Sequence, residues 1–581
     1  MWDENERNVA LEAEGKYKTA VESANDYIEN FDILETITNV GNDEVFTPRK
    51  TCDMILDSLP EEVWHNKNYK WLNPATKNGI FEREIAIRLD EGLKDQIPDT
   101  EQRRKHILQN MIYSIGQTRF TANVARRTVY YCSQANRKCD EIKASDGHYV
   151  NGYAIGNGTW FDDEEGNILT PNINHTFVDD KGNKMPDSCT TEEKKKYRCK
   201  YCGINGASSY NDANQLETYA YEFIHFNGEE LLKHLQDRFF GGNKEMKFDI
   251  IIGNPPYQLS DGGGTGDSSK PIYNKFVEQA KLLKPKFISM IIPSRWMKGG
   301  KGLDDFRNNM INDNHIEILY DFEIAKNCFP LNTIDGGVCY FLWDSNYNGV
   351  CKYTYESKDG FKDVSTRLLN NGLTGNVIRD SRQISIIEKA KGNNNQSFSK
   401  IVSTRKPFGI STDLFNAPEN YKNFNLQNEY YANSYKIYGV KGNKGGAKRV
   451  IGFVDTSAPS DNISSIKKYK LFFSYAYSTD STVPPEIIVG KPDEIATETF
   501  LMIGPFENES FAKNCLSYIK TKFFRALLYF NRIQKNCSKE TFNLIPLVSF
   551  SLKWNDKMLY EKFQLTKDEI QYIENNIKEM R

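Results

Sequence analysis

Nowhere do the 581 residues hold an apolar run long enough to cross a bilayer, which takes about 18 residues. The opening residues, MWDENERN, are acidic and lack an apolar core. No secretory signal is therefore expected, and the predicted compartment is the cytoplasm. No internal repeat of fixed period is present, and no metal-dependent nuclease core can be picked out. Composition is not extreme either: 39% hydrophobic, 26% charged, mean hydropathy −0.63. Collagen-like, coiled-coil and mostly disordered chains are thereby excluded. What is left is a globular chain long enough for two to four domains.

Net charge is only −3, yet the charge is unevenly spread. Residues 351–581 carry 34 Lys+Arg against 24 Asp+Glu, and the remainder carries 41 against 54. A basic C-terminal part on an acidic N-terminal part fits a region that meets a polyanion. Of the 11 cysteines, five fall between Cys132 and Cys202. In a cytosolic chain such a local cluster reads as metal binding before disulfides.

Along the chain, Tyr69–Leu72 reads as a strand, Asn73–Gly79 as a turn-rich loop, and Phe81–Leu89 as a helix. This strand–loop–helix unit opens a doubly wound sheet. Residues 130–212, rich in Gly, Asn, Asp, Lys and Cys, read as an inserted module. Thr218–His225 is predicted as a strand and Leu231–Arg238 as a helix. Strands are predicted at Phe248–Gly253, Phe287–Ile292, Ile316–Tyr320 and Val338–Trp343, with helices at Ile272–Leu283 and Leu303–Asn312. The predicted boundaries are 1–45 for a helical lead, 46–345 for a catalytic domain, and 346–581 for an irregular α+β region.

The buried strand from Phe248 ends in Asn254-Pro255-Pro256-Tyr257. Ligands of open α/β sheets gather at carboxyl ends of strands. Two prolines remove two backbone donors. The Asn254 side-chain oxygen and the Pro255 carbonyl remain as acceptors, suited to an exocyclic NH2 group. Drawing on both hydrogens localises the nitrogen lone pair, and the Tyr257 ring can stack on the base. The Gly-rich loop Asp261–Gly266 reads as a lid.

This tetrapeptide resembles the catalytic motif of amino-methyltransferases that use S-adenosylmethionine (SAM). Phe46-Thr47-Pro48 resembles the SAM-contacting motif of the gamma class. Here Thr47 is expected to cap the following helix, with Pro48 at its first position. Asn73-Pro74-Ala75-Thr76-Lys77-Asn78-Gly79 stands where the family has its Gly-rich SAM loop. With Lys406-Pro407-Phe408-Gly409 and the Cys-rich insert, the chain resembles gamma-class DNA N6-adenine methyltransferases of type II-like restriction–modification systems. The resemblance implies a Rossmann-like methyltransferase sheet, a small zinc-ribbon-like insert and a separate C-terminal target-recognition domain. It implies SAM held by Phe46, Thr47, Pro48, Asn73, Pro74, Ala75, Gly79, Gln117 and His225. Asn73 replaces the usual Asp, Lys77 and Asn78 replace small residues, Gln117 replaces the acidic ribose ligand, and His225 replaces the Asp beside the adenine. These departures predict weakened cofactor contacts.

Cys199-Lys200-Tyr201-Cys202-Gly203 is a zinc half site. The family pattern favours Cys132 and His175 as the other pair, with Cys139 and Cys189 as rivals. Arg405 and Lys406, then Lys441, Lys444, Lys448 and Arg449, are the candidate contacts to double-stranded DNA. The apolar stretch Leu516–Phe530 is predicted as a helix and expected in the core. The expected activity is adenine-N6 methylation of a flipped-out base, beside a companion endonuclease or helicase subunit. Two alternatives carry different outcomes: a DNA-binding specificity or anti-restriction subunit that no longer binds SAM, and an RNA or protein-amide methyltransferase.

Overall fold

A computed structural model describes residues 45–131, 165–207, 221–242, 247–258 and 270–580, apart from positions 301, 331, 333, 359, 373–374, 393–395, 444–445, 479–480 and 533–535. Residues 1–44 of the expected helical lead, Cys132, Cys139, Lys444 and the expected lid Asp261–Gly266 lie outside the described residues. Among the described residues, no helix is long and apolar enough to cross a membrane. Two compact units are present, 1–369 and 370–581.

The first unit is built on a nine-stranded sheet. Its strands are β1 (Trp71–Thr76), β2 (Ile112–Gly116), β3 (Ile168–Leu169), β6 (Ile250–Gly253), β7 (Phe287–Pro293), β8 (Ile316–Phe322), β9 (Val338–Asp344), β10 (Cys351–Glu356) and β11 (Lys362–Arg367), while β4 (Phe177–Val178) and β5 (Arg198–Cys199) form a separate ribbon. The order is β11-β10-β8-β9-β7-β6-β1-β2-β3. Pairing is parallel from β3 through β2, β1 and β6 to β7. β9 then runs antiparallel to both β7 and β8. Ile250, Ile251 and Ile252 are fully buried, as expected of a central parallel strand with both faces covered.

Helices flank this sheet: α1 (Arg49–Leu56), α2 (Ile80–Gly92), α3 (Thr100–Asn110), α4 (Arg119–Arg126), α5 (Gly228–Phe240) and α6 (Tyr273–Leu282). α2 starts at Gly79, whose φ of +78° is left-handed; a Cβ there would sit 3.0 Å from the Ala125 backbone in α4. Glycine thus allows both the turn and the close helix approach.

Four expectations need correction. Residues 351–367 continue the catalytic sheet through β10 and β11, so the first unit ends near 369 and not at 345. Ile168–Leu169, expected inside the insert, is the edge strand of the main sheet. Residues 222–224 form a 3-10 turn and not a strand, with Phe223 stacked on Phe276 of α6. Leu516–Phe530 is not one helix: Thr521 is extended (ψ 150°) and its hydroxyl accepts from Phe524 N, capping a new helix. Its apolar residues do lie in the core.

The second unit is α+β. It holds the hairpin β12 (Ser434–Asn443) and β13 (Gly446–Asp455), and β14 (Tyr469–Ser474), β15 (Ile488–Gly490), β16 (Glu494–Ala496) and β17 (Phe500–Phe506). Order is β13-β12-β16 in one sheet and β15-β14-β17 in the other. Fully buried Lys470 donates from Nζ to the carbonyls of Ile466, Lys491 and Glu494 at 2.8, 3.2 and 3.0 Å. Burial lowers its pKa to about 8.

Candidate active site and metal cluster

Parallel pairing sets the ends of β1, β2 and β6 side by side, and the candidate residues project from them. Asn73, in β1, accepts from Ala75 N at 3.1 Å through Oδ1 and donates from Nδ2 to Glu82 Oε1 at 2.9 Å. Ser114 of β2 donates to the same Glu82 oxygen at 2.6 Å. Burial raises the Glu82 carboxyl above its ordinary value, against the pull of these hydrogen bonds. Gly253 of β6 packs directly on Asn73: a Cβ there would lie 2.6 Å from Asn73 Oδ1. The start of the Asn73–Gly79 loop and the residue before the Asn-Pro-Pro-Tyr tip are therefore in contact.

Asn254 is 3% exposed. Its Nδ2 donates to the Val45 carbonyl and to Thr47 Oγ1, each at 3.0 Å. A carbonyl can only accept, so the amide orientation is fixed. Its Oδ1 is left buried and without a partner among the described residues. Thr47 thereby has a different task from the expected helix cap. Pro48 takes the cap position of α1, which has no side-chain cap. Tyr257 is 8% exposed, its ring edge-on to Phe329 at 6.5 Å and its hydroxyl without a partner among the described residues. Burial raises the Tyr257 pKa, keeping it a neutral phenol. Pro255 and Pro256 are buried between them.

A cavity joins these parts, lined by Thr47, Asn73, Ala75, Gly79, Glu82 and Asn254 among others. Only about 10 Å³ of it admits water, scarcely one molecule. Lys77 also lines it and is 6% exposed. Its Nζ donates to the same Val45 carbonyl as Asn254, at 2.9 Å. Among the lining residues, Asn254 Oδ1 is buried and without a partner among the described residues, while the buried Thr76 hydroxyl and Glu82 carboxylate face each other. Those acceptors suit the amine and hydroxyl donors of an adenosyl-type cofactor. Phe46, like Thr47, is buried beside the tip; Pro74 and Ala75 lie within buried β1.

His225 is not beside this cavity's residues. The structure places it with His175, Cys199 and Cys202, their ligand atoms all within 4.8 Å of one another. Cys199 Sγ lies 3.4 Å from His225 Nε2, and Cys202 Sγ 3.5 Å from His175 Nδ1. Cys199 is held well below the usual thiol pKa, chiefly by the hydrogen bond from Cys202. The expected ligands His175, Cys199 and Cys202 are thus brought together, and His225 joins them; Cys132, the expected fourth, lies outside the described residues. Cys189 is not in this group. The sequence offers a signal for His225, a histidine shortly after the Cys-x-x-Cys, but the predicted strand hid it.

In the second unit, Arg405 and Lys406 both face Glu498, at 3.1 and 3.7 Å. Phe408 is buried in the core, so the Lys-Pro-Phe-Gly stretch anchors a loop. Arg449 donates to the Glu486 carbonyl at 2.6 Å. Lys441 and Lys448 are directly opposite each other across β12 and β13. Like charges so placed repel.

Residues 110–329 match the Eco57I restriction-modification methylase family. The chain is 43% identical over 363 residues to an "Uncharacterized adenine-specific methylase" of Mycoplasma pneumoniae, a match spanning 61% of this chain and 80% of that protein. Among solved structures, a nuclease-deletion mutant of the Type ISP restriction-modification enzyme LlaGI with a DNA substrate mimic aligns over 91% of this chain and 46% of its own (TM-score 0.42, 12% identity). The Type IIL enzyme MmeI with DNA aligns over 86% and 65% (TM-score 0.36, 13% identity). The chain spans about half to two thirds of these solved chains. On the match to its bacterial relative, together with the Asn-Pro-Pro-Tyr tip, the chain belongs to the adenine-specific methylases of the Eco57I restriction-modification family.

Proposed function

We propose that the chain methylates adenine N6 of a base flipped out of double-stranded DNA, with SAM as donor, and so protects host sites from a companion restriction subunit. The reading rests on Asn254. Val45 and Thr47 occupy both of its amide hydrogens, which leaves Oδ1 as a fixed acceptor at the strand tip. An adenine amino group supplies the missing donor. Accepting from it localises the nitrogen lone pair, and no prior proton loss is needed. When bound, SAM supplies a methyl group made electrophilic by its sulfonium. Asn73, Ala75 and Gly79 would hold that cofactor, with Thr76 and Gln117 offering acceptors for its donor groups. Orientation and exclusion of water by this chain then lower the barrier by several kcal/mol. Tyr257 supplies a stacking face once the closed tip opens to a base. The Cys-rich insert keeps its reading as a structural zinc module.

Single-molecule sequencing of DNA from cells expressing the chain or Asn254→Ala tests this. A modified adenine at a fixed site is expected only with the unaltered chain. Modification by both, or by neither, would overturn the reading. The buried Lys77 in the lining of so small a cavity favours a second reading, a DNA-binding subunit that has lost SAM binding. Calorimetry with SAM, with and without DNA, separates the two: absence of binding in both conditions selects the second.

A further inference from the structure

We propose that His175, Cys199, Cys202 and His225 form a closed tetrahedral Zn²⁺ site that fastens the insert to the helix following the catalytic tip. This deepens the reading of the insert as a zinc module and stands independently of methyl transfer. A zinc ion with Zn–S of about 2.3 Å and Zn–N of about 2.05 Å separates tetrahedral S and N ligands by about 3.6 Å. The two S···N distances here, 3.4 and 3.5 Å, are close to that edge. Two thiolates and two neutral imidazoles balance the dication, so the site can be buried. Two sulfurs and two imidazole nitrogens in a tetrahedron suit zinc among common divalent metals.

The surroundings are those of a ligand set held ready. His225 Nδ1 donates to the Tyr221 carbonyl at 2.6 Å, which leaves Nε2 as the ligating nitrogen. The Cys-x-x-Cys turn closes with Gly203 N on the Cys199 carbonyl at 2.9 Å and Cys199 N on the Ile204 carbonyl at 2.9 Å. Gly203 takes a φ of +83° there. All four positions are protein ligands, so no place is open for a reacting water and the role is structural.

Three ligands belong to the insert, whereas His225 leads into α5. Either side of the site is tied to α6: Lys275 Nζ donates to the Tyr201 carbonyl, and Gln279 Nε2 to the Phe226 carbonyl. The residue before α6, Ile272, donates its N–H to the Tyr257 carbonyl at 3.2 Å. The metal therefore steadies the C-terminal flank of the Asn-Pro-Pro-Tyr tip from outside it.

Metal analysis of the purified full chain should give one zinc per chain, irrespective of SAM or DNA binding. Its cobalt form should show the absorption of a tetrahedral site with two sulfur ligands. His225→Ala and Cys199→Ser should each weaken metal retention by more than the ~10-fold that lesser changes around a site cost. Removing zinc from the unaltered chain with a chelator should speed amide exchange across 270–282. No zinc after reconstitution would overturn the site. Full retention with an unchanged cobalt spectrum in His225→Ala would overturn the ligand set. Unchanged exchange across 270–282 on zinc removal would overturn the fastening. None of these readouts uses methylation, so failure of the methyltransferase reading remains a separate result.

Discussion

Lys77→Ser is expected to tighten cofactor binding. Buried Lys77 lines the cavity, and its ammonium donates to the Val45 carbonyl at 2.9 Å. A cofactor entering that cavity is expected to displace it. A hydrogen bond to a charged group contributes about 1.5–3 kcal/mol. If that much is lost on withdrawal, the open state is a small fraction of the population and the apparent dissociation constant rises in proportion. At about 1.4 kcal/mol per factor of ten, the penalty amounts to roughly tenfold to a hundredfold. Serine removes the occupant while Asn254 keeps its own bonds to Val45 and Thr47. Titration calorimetry with S-adenosylhomocysteine measures the gain without any turnover. Equal affinities would refute the plug. Weaker binding in the variant would show that Lys77 holds the cofactor instead of blocking it.

Three further outcomes are expected. Asn254→Ala and Tyr257→Ala should abolish methylation with duplex affinity changed by less than tenfold in gel-shift titration, because the proposed phosphate contacts are made by other residues; a large drop in affinity would contradict this. Lys441→Gln with Lys448→Gln should reduce the slope of log affinity against log salt by about 2, near 0.9 for each phosphate no longer neutralised; an unchanged slope would exclude the hairpin from the interface. Lys470→Met should destabilise the second unit by about 3 kcal/mol in denaturant unfolding, since it strips partners from buried carbonyls. The Lys470 pKa is lowered on folding, so the unfolded chain binds more protons from pH 8 upward. Stability should therefore rise with pH from about 8 in the unaltered chain, and less in the variant.

The sequence made the catalytic tip legible because a run of isoleucines ending in two prolines leaves few other structures open. Apolar spacing also placed a helix at Phe81–Leu89, inside the observed Ile80–Gly92. Local pattern did not reach the rest. The aromatic stretch before His225 mimics a strand, but its turn is set by Phe223 on Phe276 and by contact with sulfurs about 25 residues away in sequence. Lys77 stands out in the sequence as a departure from the small residues of the loop. Where its ammonium goes depends on Val45, a long-range partner no periodicity encodes. Thr47 reads as a cap because it precedes Pro48, yet its hydroxyl is drawn to Asn254.

The continuation of the main sheet through β10 and β11 bears on any attempt to exchange recognition modules between relatives. A graft made at 345 would leave β8 without its parallel neighbour, baring a row of amide and carbonyl groups from Ile318 to Phe322. Such an edge templates self-association. A junction at 369–370 leaves every rung of that ladder satisfied, so chimeras joined there should remain soluble where those joined earlier aggregate.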